Sequence, residues 1–268
     1  MATLRLMAVL AHPDDESLGF GGTLARYAAD GVRVSLVTAT RGQAGRFRGV
    51  APGAPGHPGR DALAAMRDGE LRAAASALGV AALEVLDHDD GRLCDAPPRR
   101  VIGEIAAAIR RERPDVLLTF APDGAYGHPD HIAISQHALA AVVEAASSAG
   151  EAPAHVVRKA YVLAWPAEVW AAYQAAFTSL VSRVDGVERR ATPWPDWAIT
   201  TTIDTRACWP TVWRAVQCHE SQIGAYAVLR TLGPDDHAAL WGRQSYYRVF
   251  STVSGGRGRE TDLFEGLR

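Results

Sequence analysis

Leu6-Met7-Ala8-Val9-Leu10-Ala11-His12-Pro13-Asp14-Asp15-Glu16 decides how the rest of the chain is read: six apolar residues run unbroken into a histidine, a proline and three carboxylates. A continuous apolar run, here residues 4–11 with only Arg5 interrupting, reads as a strand buried on both faces of a parallel sheet. Residues 17–30 then carry a helical pattern closed by Gly31, and 32–40 is a second strand. The alternation continues with a helix over 61–78 ended by Gly79, a short strand over 82–86, and a helix over 97–113 with proline near its start. A strand over 115–120 and a helix over 132–147 complete it. Four strand–helix alternations with right-handed crossovers predict an α/β, Rossmann-like open, mostly parallel sheet with helices on both faces. Further on, strands are expected over 160–165 and 198–204 and helices over 168–180 and 210–223, with Pro193-Trp194-Pro195 between them. No repeat or clean linker divides the chain. The expectation is one domain over 1–268, with its Rossmann-like core over about 1–150 and a C-terminal elaboration over about 151–268.

Composition narrows the function. The 268 residues are 48% hydrophobic, enough for a large core, and 28 basic against 30 acidic residues leave a formal charge of -2. Nucleic-acid and anionic-membrane binders carry a large basic surplus, so neither partner is expected. Lys159 is the sole lysine and lies outside any G-x-x-x-x-G-K-[ST] context, which excludes a P-loop. Cys94, Cys208 and Cys218 are too few and too scattered for a disulfide framework and fit a reducing, cytoplasmic setting. The first apolar run is too short for a signal peptide. The apolar stretch 132–149 is broken by Gln136, His137 and Glu144, so no membrane span is expected. A homo-oligomer is left open. Between Arg41 and Arg60, glycines and prolines crowd a long loop whose Arg41, Arg46, Arg48 and Arg60 suit a substrate bearing a carboxylate or phosphate.

Two groups of residues carry chemistry. His12 to Glu16 follow the first strand, and His128-Pro129-Asp130-His131 follow the fourth at the start of a helix. In a doubly wound sheet, ligands bind beyond the carboxyl ends of strands where the strand order reverses, so these loops face one crevice if the two strands are neighbours. Two histidines and a carboxylate make an open metal site. Zinc suits it, and the same donors suit iron(II). Each motif alone has a plainer reading: the carboxylates favour a helix N-terminus, and His-Pro-Asp-His makes a turn with proline at the first helical position. Gly19, Gly21 and Gly22 depart from G-x-G-x-x-G and sit behind three carboxylates, so helix–sheet packing explains them better than a pyrophosphate. Ser17 and Ser221 lack a nucleophile elbow. Asp87 to Asp90 read as a polar loop, with Asp90 as an acceptor for a sugar hydroxyl. His57, His155 and His237 read as surface residues. The tryptophans from Trp165 to Trp241 either pack the C-terminal part or wall a cleft.

Ala11-His12-Pro13-Asp14-Asp15-Glu16 and His128-Pro129-Asp130-His131 together resemble the paired signature of the LmbE-like, or PIG-L, metal-dependent N-deacetylases. Thr40-Arg41-Gly42-Gln43-Ala44-Gly45 is similar to that family's T-R-G-E-A-G, with Gln43 in place of the usual Glu. Arg67-Asp68-Gly69-Glu70-Leu71, Tyr126 before His128, and His219-Glu220-Ser221-Gln222 extend the likeness to about residues 6–222. The resemblance implies zinc held by His12, Asp15 and His131, with Asp14 as the general base that takes the proton of the attacking water. It further implies a protonated His128, oriented by Asp130, that stabilises the oxyanion, Tyr126 as a mobile donor to the substrate carbonyl, and Arg67 as a substrate contact. The implied reaction removes acetyl from an N-acetylglucosamine-type small molecule. Amidases of thiol–sugar conjugates and antibiotic-tailoring deacetylases share the motifs. A non-catalytic metal- or nucleotide-binding module is the contrasting class.

Overall fold

In the computed structural model of the protein, which describes residues 3–148, 153–177, 181–184, 186–222, 224, 227–253 and 258–268, β1 (Arg5–Leu10) is wholly buried from Leu6 onward. It is followed by α1 (Asp15–Leu18), α2 (Gly21–Ala29), β2 (Arg33–Thr40), α3 (Arg60–Ala77), β3 (Ala82–His88), α4 (Pro98–Glu112) and β4 (Val116–Thr119). A tight turn, α5 (Gly124–Gly127), leads into α6 (Pro129–Ala146). The remainder supplies β5 (Lys159–Leu163), α7 (Ala167–Ala176), β6 (Val181–Val184), β7 (Val187–Arg190), β8 (Thr201–Asp204), α8 (Trp209–Cys218), α9 (Pro234–Trp241) and β9 (Arg243–Ser251).

Seven strands form one sheet in the order β3-β2-β1-β4-β5-β9-β8, and β6 and β7 make a separate hairpin. The pairings from β3 to β5 are parallel, whereas β9 runs antiparallel to both β5 and β8. The chain leaves β1 towards β2 and β3, then returns to β4 on the other side, so the order reverses between β1 and β4. Right-handed crossovers travelling in opposite directions carry α2 and α3 to one face and α4 and α6 to the other. Each helix buries one stripe, for example Val101, Ile105, Ala108 and Ile109 of α4 and Ile134, Ala138, Ala141 and Ala145 of α6.

Several elements differ from the sequence expectation. The helix over 17–30 is two pieces, α1 and α2, broken at Gly19 and Phe20. Its glycines pack on the C-terminal part: a Cβ at Gly21 would meet Val212 of α8 at 3.2 Å, and one at Gly22 would meet Thr205 at 2.8 Å. Helix α7 ends at Ala176; the expected continuation through 178–180, and Ile223 at the end of 210–223, lie outside the described residues. β9 and the β6–β7 hairpin carry no strong strand signal. His237, expected at the surface, is buried between Trp209, Trp213 and Trp241, with ring centroids 5.4, 5.0 and 5.3 Å away. Neither other histidine is free in solvent: His155 bonds the Pro114 carbonyl and His57 that of Gly45.

Candidate active site

The loops after β1 and β4 meet because those strands are neighbours. His12 leaves the end of β1 and His131 sits in the first turn of α6. His12 Nδ1 lies 3.2 Å from His131 Nε2, and His131 Nε2 lies 3.3 Å from Asp15 Oδ1. The edge of a tetrahedral site with bonds near 2.0 Å is about 3.3 Å, and both of these edges have that length. Among the described residues, the groups whose ligand atoms all lie within 4.8 Å of one another are His12–His128–His131 and His12–Asp90–Asp130. Asp15 Oδ2, 3.6 Å from His12 Nδ1, accepts from the backbone N–H groups of Ala11 and His12, at 3.2 and 2.8 Å. Opposing charge from His131 and His12 drives the Asp15 pKa down although burial would raise it.

The far side of His12 explains why Nδ1 is the inward-facing atom. Its Nε2 lies 3.2 Å from both Asp130 Oδ2 and Asp90 Oδ1, so a proton there leaves Nδ1 with its lone pair. Carboxylates behind a ligating imidazole commonly set its tautomer in this way. Burial would lower the His12 pKa, but the bonds to Asp130 and Asp90 outweigh it and raise it well above 6.5, so a metal at Nδ1 competes with a proton there. Carboxylates in this number call for a cation, and the donor set fits a divalent one. His131 Nδ1, by contrast, finds no partner among the described residues, and the ring is stacked on Phe120 instead, centroids 3.9 Å apart.

Three expected roles meet a different geometry. The carboxylate of Asp130 does not reach His128; it accepts from the N–H groups of Gly91 and Leu93, at 2.7 and 3.0 Å, and faces His12. It is the backbone N–H of Asp130 that donates to His128 Nδ1, at 3.2 Å. That bond requires Nδ1 unprotonated and puts the ring proton on Nε2. Burial, with the charges of His12 and His131 beside it, pushes the His128 pKa down to about 3. Asp90 is likewise turned inward, accepting from Ala44 N–H at 2.8 Å as well as facing His12.

Arg67 is the third case. It is buried, and its guanidinium donates to the Pro13 carbonyl, to Gly42 O at 2.9 Å and to Asp14 Oδ2 at 2.9 Å. Gly42 makes room for it: a Cβ there would lie 2.1 Å from Arg67 Nη1, and its φ is +65°. Asp14 has φ 106° and ψ -26°, far from the usual left-handed values near +57°. Such a residue costs about 1–3 kcal/mol and persists only where its surroundings over-determine it. Its N–H donates to Glu16 Oε2 at 2.9 Å, and Glu16 Oε1 lies 2.7 Å from His219 Nε2. Burial would lower the His219 pKa, but Glu16 outweighs it and raises it.

Tyr126 stands against the histidines, its ring 5.9 Å from that of His128 and 5.4 Å from that of His131. Burial and the surrounding carboxylates raise its phenol pKa, so it is a donor. The hairpin β6–β7 closes over this turn: Ser182 Oγ donates to Gly127 O at 2.7 Å. Three arginines of the 41–60 loop face carboxylates at the surface, Arg41 facing Asp87, Arg60 facing Asp89 and Arg48 facing Glu220, and Arg46 donates to Gly49 O. A polar groove of about 520 Å3 adjoins this loop, lined by Gln43, Arg60, His88, Asp89, Arg92 and Arg100 among others. Sequence reading passed over Ser182 and the Glu16–His219 pair because their partners lie far along the chain.

A profile of the PIG-L family, described as GlcNAc-PI de-N-acetylase, matches residues 7–142, which hold both histidine motifs. The 1D-myo-inositol 2-acetamido-2-deoxy-alpha-D-glucopyranoside deacetylase of Kineococcus radiotolerans is 34% identical over 309 aligned residues, covering 98% of this chain and 83% of the relative. The conserved protein TT1542 of Thermus thermophilus has a similar structure, with a TM-score of 0.64 at 25% identity over 94% of this chain and 97% of that one. GalB, the 4-carboxy-2-hydroxymuconate hydratase of Pseudomonas putida, matches with a TM-score of 0.69 at 18% identity over 95% and 99%. That last likeness concerns the fold alone, and one fold hosts several chemistries. Motifs, profile and relative agree, and the chain belongs to the PIG-L family of GlcNAc-PI de-N-acetylases.

Proposed function

We propose that the protein is a zinc-dependent hydrolase that removes the acetyl group from an N-acetylglucosamine-type glycoconjugate, releasing acetate and a free amine. The observation that carries this reading is the convergence of His12, His131 and Asp15, with His12 Nδ1 3.2 Å from His131 Nε2 and His131 Nε2 3.3 Å from Asp15 Oδ1, and with three further carboxylates, Asp14, Asp90 and Asp130, about them. His12, Asp15 and His131 would hold a divalent metal there, which would supply polarisation of the acetamide carbonyl and acidification of a water. Asp14, held by Arg67 beside the triad, takes the proton of the attacking water and returns it to the amide nitrogen as the C–N bond breaks. The His128 Nε2–H and the Tyr126 hydroxyl donate to the oxygen on which negative charge develops. The relatives' names join the acetamido sugar to myo-inositol. A small polyol matches the groove's mixture of arginine donors and aspartate acceptors.

The test is acetate and amine release from N-acetylglucosaminyl-inositol, N-acetylglucosaminyl-malate, N,N'-diacetylchitobiose and an acylated thiol–sugar conjugate. Each is assayed with chelator-stripped protein and after reloading with zinc or, anaerobically, iron(II). Release from an acetylated sugar that returns with zinc supports the proposal. Turnover of the thiol conjugate alone would replace it with an amidase for larger acyl groups, and preference for iron(II) would replace the metal.

A further inference from the structure

His219 lies 203 positions from Glu16 in the chain, yet the two form a fully buried pair, Nε2 to Oε1 at 2.7 Å. Neither faces the triad. The Glu16 carboxylate is committed on three sides: Oε1 accepts from Ser17 Oγ at 2.6 Å and pairs with His219, and Oε2 accepts the backbone N–H of Asp14 at 2.9 Å.

We propose that His219, acting through Glu16, is a positioning residue for Asp14: the pair pins the Asp14 backbone in its left-handed conformation so that its carboxylate meets the reacting water. The inference rests on Asp14 being the general base. Asp14 is the residue whose backbone departs furthest from ordinary values within the His-Pro-Asp-Asp-Glu loop, and both of its ends are held. On one side Arg67 grips its carboxylate and the preceding carbonyl. On the other, Glu16 grips its N–H. The His219 ring in turn holds the Glu16 carboxylate from behind, Nε2 to Oε1 at 2.7 Å, and so fixes where Oε2 meets that N–H.

The framework that aims His219 is equally specific. It caps the end of α8, and the next turn is fastened to α3: Ser221 N and Oγ donate to the two carboxylate oxygens of Glu70, each at 2.7 Å. Arg67 and Glu70 stand three residues apart on one face of α3. One helix therefore sets both holds on the base, Arg67 directly and Glu70 through the segment that bears His219. The two late motifs, Arg67-x-x-Glu70 and His219-x-Ser221, become one device with Asp14 at its centre.

The experiment measures kcat, KM and zinc content of holoenzyme for His219→Ala and His219→Gln, with and without Asp14→Ala. In His219→Ala, kcat falls on the order of 10–100-fold, while KM and zinc content hold. His219→Gln, whose amide N–H can reach Glu16, recovers most of the loss. In the Asp14→Ala background His219→Ala costs nothing further, because the two act through one group. Because His219→Ala can also impair folding, the single change His219→Leu fills the space of the ring and removes the hold on Glu16 while leaving Glu16 to accept from Ser17 and the Asp14 N–H. Thermal stability near that of the unaltered protein with a lowered kcat supports the proposal. An unchanged kcat in either variant, or an equal loss with and without Asp14, overturns it. Near-normal turnover in Asp14→Ala alone would instead remove the base, and so overturn the functional reading beneath the proposal.

Discussion

At the scale of single residues, two hydrogen bonds decide how the imidazoles work. His12 turns Nε2 to Asp130 and Asp90 and Nδ1 to His131, while His128 gives Nδ1 to a backbone N–H and keeps its proton on Nε2. With Nδ1 occupied by the Asp130 N–H, the role proposed for His128 needs only the donor at Nε2. His128→Gln, whose amide nitrogen reaches about as far as Nε2, is therefore expected to keep a substantial part of kcat. His128→Ala should lose about 100–1000-fold, the usual effect of deleting one oxyanion donor. Steady-state kinetics on the best substrate separates the two, and a Gln variant as inactive as Ala would show that a positive charge is required. The histidines and aspartates of both motifs were legible in the sequence, because residue type and position at strand ends are local properties. Their hydrogen-bond partners were not: Gly91, Leu93 and Asp90 come from another loop.

Among elements, the contact to watch is the β6–β7 hairpin over the α5 turn. Ala125 has φ 65° and ψ -67°, an uncommon conformation for a residue with a side chain, and Gly127 follows with φ +77°. A Cβ at Gly127 would lie 2.6 Å from Arg189 Cβ, so hairpin and turn touch only because that position is glycine. Gly127→Ala is expected to destabilise the protein by about 1–3 kcal/mol and to displace Tyr126 and His128. Chemical denaturation measures the first effect, and kcat/KM should fall more than occupancy of the folded state alone explains. An unchanged kcat/KM with normal stability would remove the hairpin from the site's architecture. Nothing in residues 181–190 marks this role from sequence: the strands are short, polar and exposed on β7, and the glycine reads as an ordinary turn.

Across the whole molecule, the C-terminal segment locks the antiparallel edge of the sheet from the end opposite the site. Glu260 is buried and accepts from Lys159 Nζ at 2.7 Å, Tyr161 OH at 2.7 Å, Thr201 Oγ1 at 2.9 Å and Arg248 Nη1 at 2.6 Å, joining β5, β8 and β9. The sole lysine is thus structural. Burial would raise the Glu260 pKa, but these donors outweigh it and hold it below 4.5. A depressed carboxylate stabilises the fold above the unfolded value and stops doing so as pH falls through the folded one. Stability should therefore drop below about pH 4.5, and Glu260→Gln should flatten that acid limb. At neutral pH the variant should lose about 3 kcal/mol, since two cations remain without their carboxylate. Its kcat per folded molecule should not change, because Lys159 begins β5 while the site lies beyond the strands' carboxyl ends. Melting curves from pH 3 to 8 check the first point, and active-site-normalised kinetics the last.

The parallel half of the sheet and the placing of both histidine motifs beyond β1 and β4 were determined by the sequence alone. Unbroken apolar runs, helix stops at glycine and prolines at helix starts are signals a few residues long, and they need no partner to be read. β9, with its half-buried Arg-Gln-Ser-Tyr-Tyr pattern, becomes a strand because β5 and β8 flank it. The same is true of the chemistry. Which nitrogen of His12 faces inward, why Arg67 meets Asp14, and how His219 reaches Glu16 were decided only by the tertiary structure. Each depends on side chains from distant segments entering one low-dielectric space, where an unpaired charge is costly and every polar atom must find its neighbour.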